Sequence, residues 1–297
     1  MQKLGRLLTA MVTPFDEAGE VDYVRARKLA RALLKSGSEG LIVSGTTGES
    51  PTLTVDEKLR LFGEIKEEIG DEGAVIAGTG NYCTRESIEL TREAERVGVD
   101  GSLLVVPYYN KPTQEGLYLH FAAIAAETNL PCIVYNVPGR TSCNLSSGTV
   151  VRLSKVDNIV GVKEASANFK QISEIIEGVD EEFLVYSGND GDTFPLMAMG
   201  GYGVVGVVTH IVGLQVREMM DKLLAGQTAE AAAIHRRLLP LVDAMFVIAN
   251  PIPLKFAMNY LGYEVGPTRL PLCPPDEKTA NDILSALKSH KIDLVPF

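Results

Sequence analysis

The sequence has little of what metal sites and disulfide frameworks need. Its 297 residues include no tryptophan, four cysteines and four histidines. The cysteines are widely spaced and form no CxxC pair, and the histidines show neither HxH nor HxxxH spacing. Tetrahedral metal sites usually show such spacings, so the sequence supports no metal site. In a chain of this length without a secretion signal, we expect the thiols to be reduced.

Long apolar runs are also missing. No segment approaches the roughly 18 uninterrupted apolar residues that indicate a membrane-spanning helix. The apolar stretch at residues 7–12 is too short for a secretion signal and runs into Pro14. The expected location is therefore the cytoplasm.

Basic patches are missing as well. Lysine and arginine number 28 against 38 aspartate and glutamate residues, which gives a formal net charge of -10. A chain this acidic has no general attraction for phosphate backbones or anionic membranes. Nucleic acids and membranes are therefore not expected as partners.

What the sequence does contain is a regular alternation of short apolar runs and longer amphipathic segments. Eight such runs begin at residues 7, 40, 74, 102, 132, 159, 183 and 204. Continuous apolar runs are typical of parallel strands buried on both faces, and eight strand–helix units close into a (β/α)8 barrel. An open doubly wound sheet is the alternative, but no GxGxxG follows the first run.

The alternation stops after residue 226, where three helical segments follow. We therefore predict an α/β fold with two parts. A (β/α)8 catalytic barrel would span residues 1–226, and a small C-terminal helical domain would span residues 227–297. No flexible linker separates them, so we expect the two to pack together.

The sixth apolar run ends on Lys163. Desolvation at the end of a buried strand favours the neutral amine, and a neutral amine can attack a carbonyl to form a Schiff base. On this stretch alone, a lysine that snorkels to water is the preferred interpretation. Its neighbour Glu164 would point to the other side of an extended strand.

The residues that follow the strands change that preference, because they converge on one rim of a (β/α)8 barrel. The strand-two loop Gly45–Ser50 can offer backbone N–H groups to a carboxylate. The other rim segments supply hydroxyls that can relay protons and one guanidinium: Thr46, Tyr109, Tyr135 and Arg140. With Lys163, this set favours carbanion chemistry on a 2-oxo acid, in which an imine serves as the electron sink. Taken singly, the loop also suits an ordinary turn, and the tyrosines could cap the core.

Several long motifs occur in one order along the chain. They are TAMVTPF from Thr9, GTTGES from Gly45, PYYNKPTQEG from Pro107, YNVPGRT from Tyr135, GVKEAS from Gly161, NPIPLK from Asn250 and RLPL from Arg269. In these motifs the chain closely resembles the dihydrodipicolinate synthase family, within the class I pyruvate lyase and aldolase superfamily. The resemblance runs nearly end to end. It implies a barrel with a C-terminal helical domain, a homotetramer built as a dimer of tight dimers, and no cofactor beyond a covalent imine.

The resemblance also implies a reaction and a role for each motif residue. The reaction is the condensation of pyruvate with L-aspartate 4-semialdehyde in the diaminopimelate route to lysine. Lys163 would form the Schiff base, and the proton relay would be Tyr135, Thr46 and Tyr109, the last inserted into the neighbouring subunit's site. Substrate binding would fall to Thr47 for the pyruvate carboxylate, to Arg140 for the semialdehyde carboxylate, and to the backbone of Gly188 and Val205 around pyruvate.

Two alternative functions remain at this point. A pyruvate-dependent aldolase of a 2-oxo sugar acid is similar in the GxTGE loop and the lysine strand, but generally lacks the arginine that Arg140 represents. A catalytically silent barrel used as a binding module would tend to lose the lysine or the relay residues, which are all present.

The resemblance departs from family members that lysine inhibits. Ser50, Glu86 and Tyr108 match their allosteric pocket at the tight dimer interface. Where those members have a pair of histidines and an asparagine, this chain has Val55, Lys58 and Tyr82. Lys58 would meet a lysine ligand as a like charge, so we predict weak or absent feedback inhibition.

Overall fold

Eight parallel strands close into one barrel in the structure, a computed structural model that describes residues 4–297. The first three residues of the predicted domain 1–226 lie outside the described residues. The strands follow chain order around the barrel, and β1 pairs with both β2 and β8. They are β1 (Leu7–Ala10), β2 (Gly40–Val43), β3 (Ala74–Gly78), β4 (Gly101–Val105), β5 (Cys132–Asn136), β6 (Ile159–Glu164), β7 (Leu184–Ser187) and β8 (Gly203–Gly206). The predicted (β/α)8 fold is confirmed.

Helices cover the outside of the barrel and form the C-terminal part. They are α1 (Tyr23–Lys35), α2 (Val55–Ile69), α3 (Thr84–Val97), α4 (Gln114–Ala125), α5 (Pro138–Thr141), α6 (Ser147–Leu153), α7 (Phe169–Gly178), α8 (Thr193–Ala198), α9 (Thr209–Leu224), α10 (Thr228–Met245), α11 (Ile252–Tyr260) and α12 (Glu277–Lys288). The boundaries of α2 are those the sequence predicts. Thr54 and Glu57 fix its start, because each side chain accepts a hydrogen bond from the other residue's backbone N–H.

Two helical details differ from the sequence-based expectation. The pattern predicts that the helix after β8 begins near Leu214. The structure has helical residues from Thr209, but α9 is interrupted at Val212 (φ -131°, ψ 36°), so its longer part begins close to the predicted residue. Its first turns are buried on all sides, so they lack the amphipathic pattern that reveals a surface helix. The short helix α5, which carries Arg140, has too few residues to show a period.

The C-terminal helices pack onto the barrel helices. Leu241 and Met245 of α10 belong to the same buried apolar cluster as Val216 of α9 and Leu29 of α1. The domain boundary at residue 226 remains a prediction. This apolar cluster contains residues from both sides of that boundary.

Strand register places the chemistry-bearing side chains on one side of the sheet. Tyr135 of β5 pairs in parallel register with Lys163 of β6, which pairs in turn with Tyr186 of β7. Successive residues of a strand point to opposite faces, so these three side chains share the barrel interior. Tyr135 and Tyr186 belong to the apolar cluster that fills it.

Candidate active site

Lys163 lies buried at the carboxyl end of β6, with 5% of its surface exposed. Its Nζ is 4.1 Å from the centroid of the Tyr135 ring. Burial lowers the pKa of Lys163 to about 7; Asp190 opposes this shift, and the Arg140 guanidinium adds to it. About half of such lysines would carry the neutral, nucleophilic amine near pH 7, whereas an exposed lysine would be almost fully protonated.

Tyr135 connects this lysine to a cavity of about 230 Å³. Burial raises the pKa of Tyr135, and two neighbours oppose the rise, the Arg140 guanidinium and the hydroxyl of Thr46. The phenol therefore keeps its proton at neutral pH and can donate it to a neighbouring oxygen. Residues from four strand ends line the cavity, among them Gly45, Thr46, Gly78, Leu103, Tyr135 and Arg140.

The loop after β2 places its two threonines differently. Thr46 is half-buried and lines the cavity, while Thr47 is buried. The Thr47 hydroxyl accepts a hydrogen bond from the Asn250 side-chain amide at 2.9 Å. The loop is also held by the segment that follows β1, because the Thr13 hydroxyl donates to the Gly48 carbonyl at 2.7 Å. Its conformation is therefore fixed by contacts outside the loop itself.

Arg140 is exposed on α5 and lines the cavity together with Thr46 and Tyr135. A guanidinium at the open side of a cavity can hold a carboxylate with two parallel hydrogen bonds. Gly188 lies beside the lysine, since a Cβ added there would stand 3.1 Å from Lys163 Cγ. Val205 is buried on β8 in the barrel interior.

Tyr109 is a predicted site residue that does not line this chain's cavity. Its side chain is 94% exposed, and its backbone has a φ of 72°, a left-handed conformation that bulky residues rarely adopt. The neighbouring Tyr108 lines the cavity instead. The expected role of Tyr109 therefore depends on a second copy of the chain.

Asp190 is a buried carboxylate that sequence reasoning did not assign to the site. It accepts hydrogen bonds from the backbone N–H groups of Val207 and Val208 at 2.9 Å and 3.0 Å. Burial raises the pKa of Asp190 to about 6, opposed mainly by these backbone N–H groups and also by Lys163. The available signal was its position three residues beyond the end of β7, on the rim where the site forms.

Glu164 lies on the other face of β6, as the alternation along the strand predicts. Its carboxylate accepts hydrogen bonds from the side-chain amides of Asn136 on β5 and Gln171 on α7, at 3.1 Å and 3.2 Å. These contacts tie the strand end to the outer helix and leave the proton transfers to groups in the interior.

Two of the residues that match the lysine-binding pocket belong to the cavity already described. Ser50 and Tyr108 line the same cavity as Thr46, and the Glu86 side chain is exposed. Lys58 is half-buried, and burial lowers its pKa while Glu86 opposes that shift. The expected cation at Lys58 therefore lies close to the carboxylate that would recognise a lysine ligand.

We accordingly expect the catalytic activity of the purified enzyme to be nearly insensitive to lysine. Two cationic amines near one exposed carboxylate repel each other, which weakens binding. The measurement is a lysine titration of the initial rate at subsaturating pyruvate, and Lys58→Gln should increase sensitivity to lysine. Half-inhibition of the wild type at micromolar lysine would show that the prediction is wrong.

The described residues 4–297 lack two features that other functions would need. No group of three or more histidine, cysteine, aspartate or glutamate side chains in that range could hold a metal ion. No helix in the described part of the chain is long and apolar enough to cross a membrane.

The sequence model of the Dihydrodipicolinate synthetase family matches residues 3–290. The chain belongs to that family. A 4-hydroxy-tetrahydrodipicolinate synthase of Dehalococcoides mccartyi is 58% identical over 294 residues, which cover 99% of each chain. The predicted membership in this family is thereby confirmed.

Solved structures of the family agree with the fold in detail. The crystal structure of a dihydrodipicolinate synthase from Bacillus anthracis matches with a TM-score of 0.96 at 44% identity, covering 98% of this chain and all of that one. A family member from Cyanidioschyzon merolae, crystallised with lysine bound, matches with a TM-score of 0.95 at 44% identity over 96% of this chain and 98% of that one. The predicted class of enzyme, a lyase of lysine biosynthesis by the diaminopimelate route, is confirmed by the family and its named members.

Proposed function

We propose that this enzyme condenses pyruvate with L-aspartate 4-semialdehyde through an imine on Lys163. The neutral Nζ attacks the C2 carbonyl of pyruvate, and loss of one water leaves a protonated imine. Removal of a C3 proton gives an enamine, whose carbon attacks the aldehyde carbon and forms the new C–C bond. The amino group of the semialdehyde then attacks the imine carbon, which closes the ring and releases the Lys163 amine.

The side chains around Lys163 supply what these steps need. Tyr135 and Thr46, which face the same cavity, move protons to and from the carbinolamine and the aldehyde oxygen. Thr47 and the backbone at Gly188 and Val205 hold pyruvate. Arg140 binds the carboxylate of the semialdehyde at the open side.

One observation carries this proposal: buried Lys163 and buried Tyr135 stand in register on adjacent strands, and the lysine Nζ is 4.1 Å from the centroid of the tyrosine ring, which lines the cavity. A lysine kept dry and partly neutral beside a phenol is suited to imine formation, and Arg140 supplies the carboxylate site that a sugar aldehyde would not need. The arrangement favours the semialdehyde as the second substrate.

The test is a steady-state assay of pyruvate with aspartate 4-semialdehyde, coupled to the downstream reductase. The same enzyme is offered pyruvate with sugar aldehydes in parallel. We expect turnover of the semialdehyde and at most trace turnover of the sugars. Efficient use of a sugar aldehyde would overturn the proposal in favour of a sugar-acid aldolase, and no turnover of either would favour a silent barrel.

We infer that the reaction proceeds without a cofactor, because the imine itself supplies the electron sink. Activity should survive exhaustive dialysis against a chelator.

We further propose that the enzyme works in the cytoplasm. Activity confined to the membrane or secreted fraction of the source cells would contradict that location.

We also propose a homotetramer, a dimer of tight dimers, in which Tyr109 completes the partner subunit's proton relay. The support is the position of Tyr109, which is exposed, has a left-handed backbone conformation and does not line its own chain's cavity. Sedimentation equilibrium should give four chains per particle. A monomer with full activity would overturn both the assembly and the role of Tyr109.

The rate of imine formation should rise with pH through about pH 7 and then level off. The reason is that burial lowers the Lys163 pKa to about 7, so the reactive neutral amine grows as pH rises through that value. The measurement is kcat/KM for pyruvate between pH 5.5 and 9, in the range where lysine titrations of this kind are seen.

Asp190→Asn is the matched variant for this pH profile. The Asp190 carboxylate favours the Lys163 ammonium, so its removal should move the midpoint to lower pH. A midpoint near the ordinary lysine pKa of about 10.4, or a shift to higher pH in the variant, would contradict the account.

A further inference from the structure

The C-terminal part of the chain makes a buried contact with the loop Gly45–Ser50. Lys255 Nζ of α11 lies 2.7 Å from Glu49 Oε1, and the two side chains are 2% and 0% exposed. The sequence pattern suggests a structural or surface role for this lysine, and the structure excludes the surface. A buried ion pair is costly to form unless other contacts complete it, so its surroundings indicate what it does.

Several other groups contact the two side chains of this ion pair. Lys255 Nζ also donates to the Pro267 carbonyl at 2.8 Å and lies 4.0 Å from the centroid of the Phe15 ring. The second carboxylate oxygen of Glu49 accepts from the backbone N–H of Arg269 at 2.9 Å. Glu49 is thus held at both oxygens by residues from beyond position 226.

The backbone at Glu49 shows why such a hold is needed. Its φ of 56° is a left-handed conformation that costs a non-glycine residue free energy, so neighbouring contacts must maintain it. The same turn carries Thr46, whose carbonyl accepts a hydrogen bond from Glu49 N–H at 3.1 Å. A rotation at Glu49 would break this hydrogen bond to the cavity-lining threonine.

Two more contacts link the C-terminal part to this turn. The Asn250 side chain donates to the Thr47 hydroxyl, next to Thr46. The Arg269 guanidinium donates to the Thr52 carbonyl at 2.8 Å, just beyond the loop. The loop that carries Thr46 and Thr47 therefore contacts the barrel on one side and segment 250–269 on the other.

The geometry points to Lys255 as a positioning residue for the active-site loop, acting through Glu49 on Thr46 and Thr47. This inference rests on the proposed function, because it assigns the loop a part in binding pyruvate and relaying protons. Lys255 touches no reacting atom. Segment 250–269 would then be part of the catalytic apparatus by virtue of the loop conformation that it imposes.

The experiment compares Lys255→Met with Lys66→Met. Lys66 makes a partly buried ion pair with Asp100 at 2.9 Å, between the end of α2 and the start of β4, at the opposite end of the barrel. Both variants lose an ion pair and some thermal stability. We expect only Lys255→Met to lower kcat/KM for pyruvate, by about 10- to 100-fold, with a smaller fall in kcat/KM for the semialdehyde.

A second readout does not depend on turnover. Amide hydrogen exchange should be faster in peptides that cover residues 45–50 in Lys255→Met, and unchanged there in Lys66→Met, at a temperature where both are folded. If the wild type turned over neither substrate, the proposed function would fail, while this comparison would still test the contact. If Lys255→Met fails to fold, the double variant Glu49→Gln/Lys255→Met takes its place in the experiment, because it removes both charges of the ion pair.

The double variant also separates stability from positioning. It leaves no unpaired buried charge, so thermal stability should largely return, while kcat/KM for pyruvate should stay low. Wild-type kinetics and wild-type loop exchange in Lys255→Met, or in the double variant if the single does not fold, would overturn the inference and leave the pair a merely structural one.

Discussion

Lys163→Ala is expected to lower turnover at least about 10⁴-fold, because no other group can form the covalent intermediate that divides the reaction into two easier steps. The alanine removes the buried amine whose Nζ lies 4.1 Å from the centroid of the cavity-lining Tyr135 ring. Binding contacts at Arg140 and the strand-two loop would remain, so the loss should appear in kcat rather than in folding. The measurement is the coupled assay, with thermal unfolding recorded on the same sample.

Lys155→Ala is the matched control for that variant. Lys155 precedes β6 in the sequence but is exposed and forms a surface ion pair with Asp180. Exposed ion pairs contribute little, so the control should keep nearly wild-type turnover. Residual activity of Lys163→Ala within tenfold of the wild type would mean that another nucleophile, or another mechanism, operates.

Arg140→Ala should have the second largest effect, a fall of about 10- to 100-fold in kcat/KM for aspartate semialdehyde, since a charge-assisted contact to a carboxylate is worth about 1.5–3 kcal/mol. Imine formation with pyruvate should be much less affected, because Arg140 is an exposed residue of α5, whereas Lys163 is buried beside Tyr135 on β6. The direction of the small remaining effect on the reaction with pyruvate follows from the charge of Arg140. The guanidinium lowers the Lys163 pKa, so its loss should shift the pH profile for pyruvate slightly upward.

Two variants sharpen this second prediction. Arg140→Lys keeps the charge but loses the two-pronged hydrogen-bonding geometry, and should recover only part of the activity. Arg152→Ala removes a surface arginine of α6 that contacts Glu115, and should change neither substrate's kcat/KM. Equal losses for pyruvate and semialdehyde in Arg140→Ala would show that Arg140 acts on the site as a whole rather than on the second substrate.

The barrel could be predicted from sequence because its signal is repeated eight times. Each strand is a short apolar run, and most of the helices between them show an amphipathic period, so single errors do not change the pattern. The boundaries failed where that contrast disappears. The first turns of α9, from Thr209, are buried on every side, and α5 is too short for any period.

Part of the predicted site came from one geometric rule, that segments after the strands of a barrel share a rim. That rule identified Lys163, Tyr135, Thr46 and Arg140; the last three line one cavity, and Lys163 Nζ lies 4.1 Å from the Tyr135 ring centroid. Thr47, Gly188 and Val205 came from the resemblance to the family instead. The rule could not place Tyr109, because an exposed side chain has no fixed position until a second chain is present.

Contacts between distant parts of the chain were beyond the reach of sequence patterns. Lys255 and Glu49 are 206 positions apart, yet they form a buried ion pair. A lysine within a helical pattern gives no sign of the carboxylate that it will meet. Asp190 was missed for a related reason, since its meaning depends on the two backbone N–H groups after β8 that hold it near Lys163.

The most direct test of the account is to trap the intermediate on Lys163. The enzyme is incubated with pyruvate and borohydride and then digested. The mass of the peptide that contains residues 159–170 is measured by mass spectrometry. We expect the mass of that peptide to increase by one pyruvate less one water plus two hydrogens, and fragmentation should locate the added group on Lys163. The adduct should also form in Lys155→Ala. It should be absent in Lys163→Ala and in wild-type enzyme without pyruvate. A pyruvate-dependent adduct on a different lysine, or none at all in an active enzyme, would contradict it.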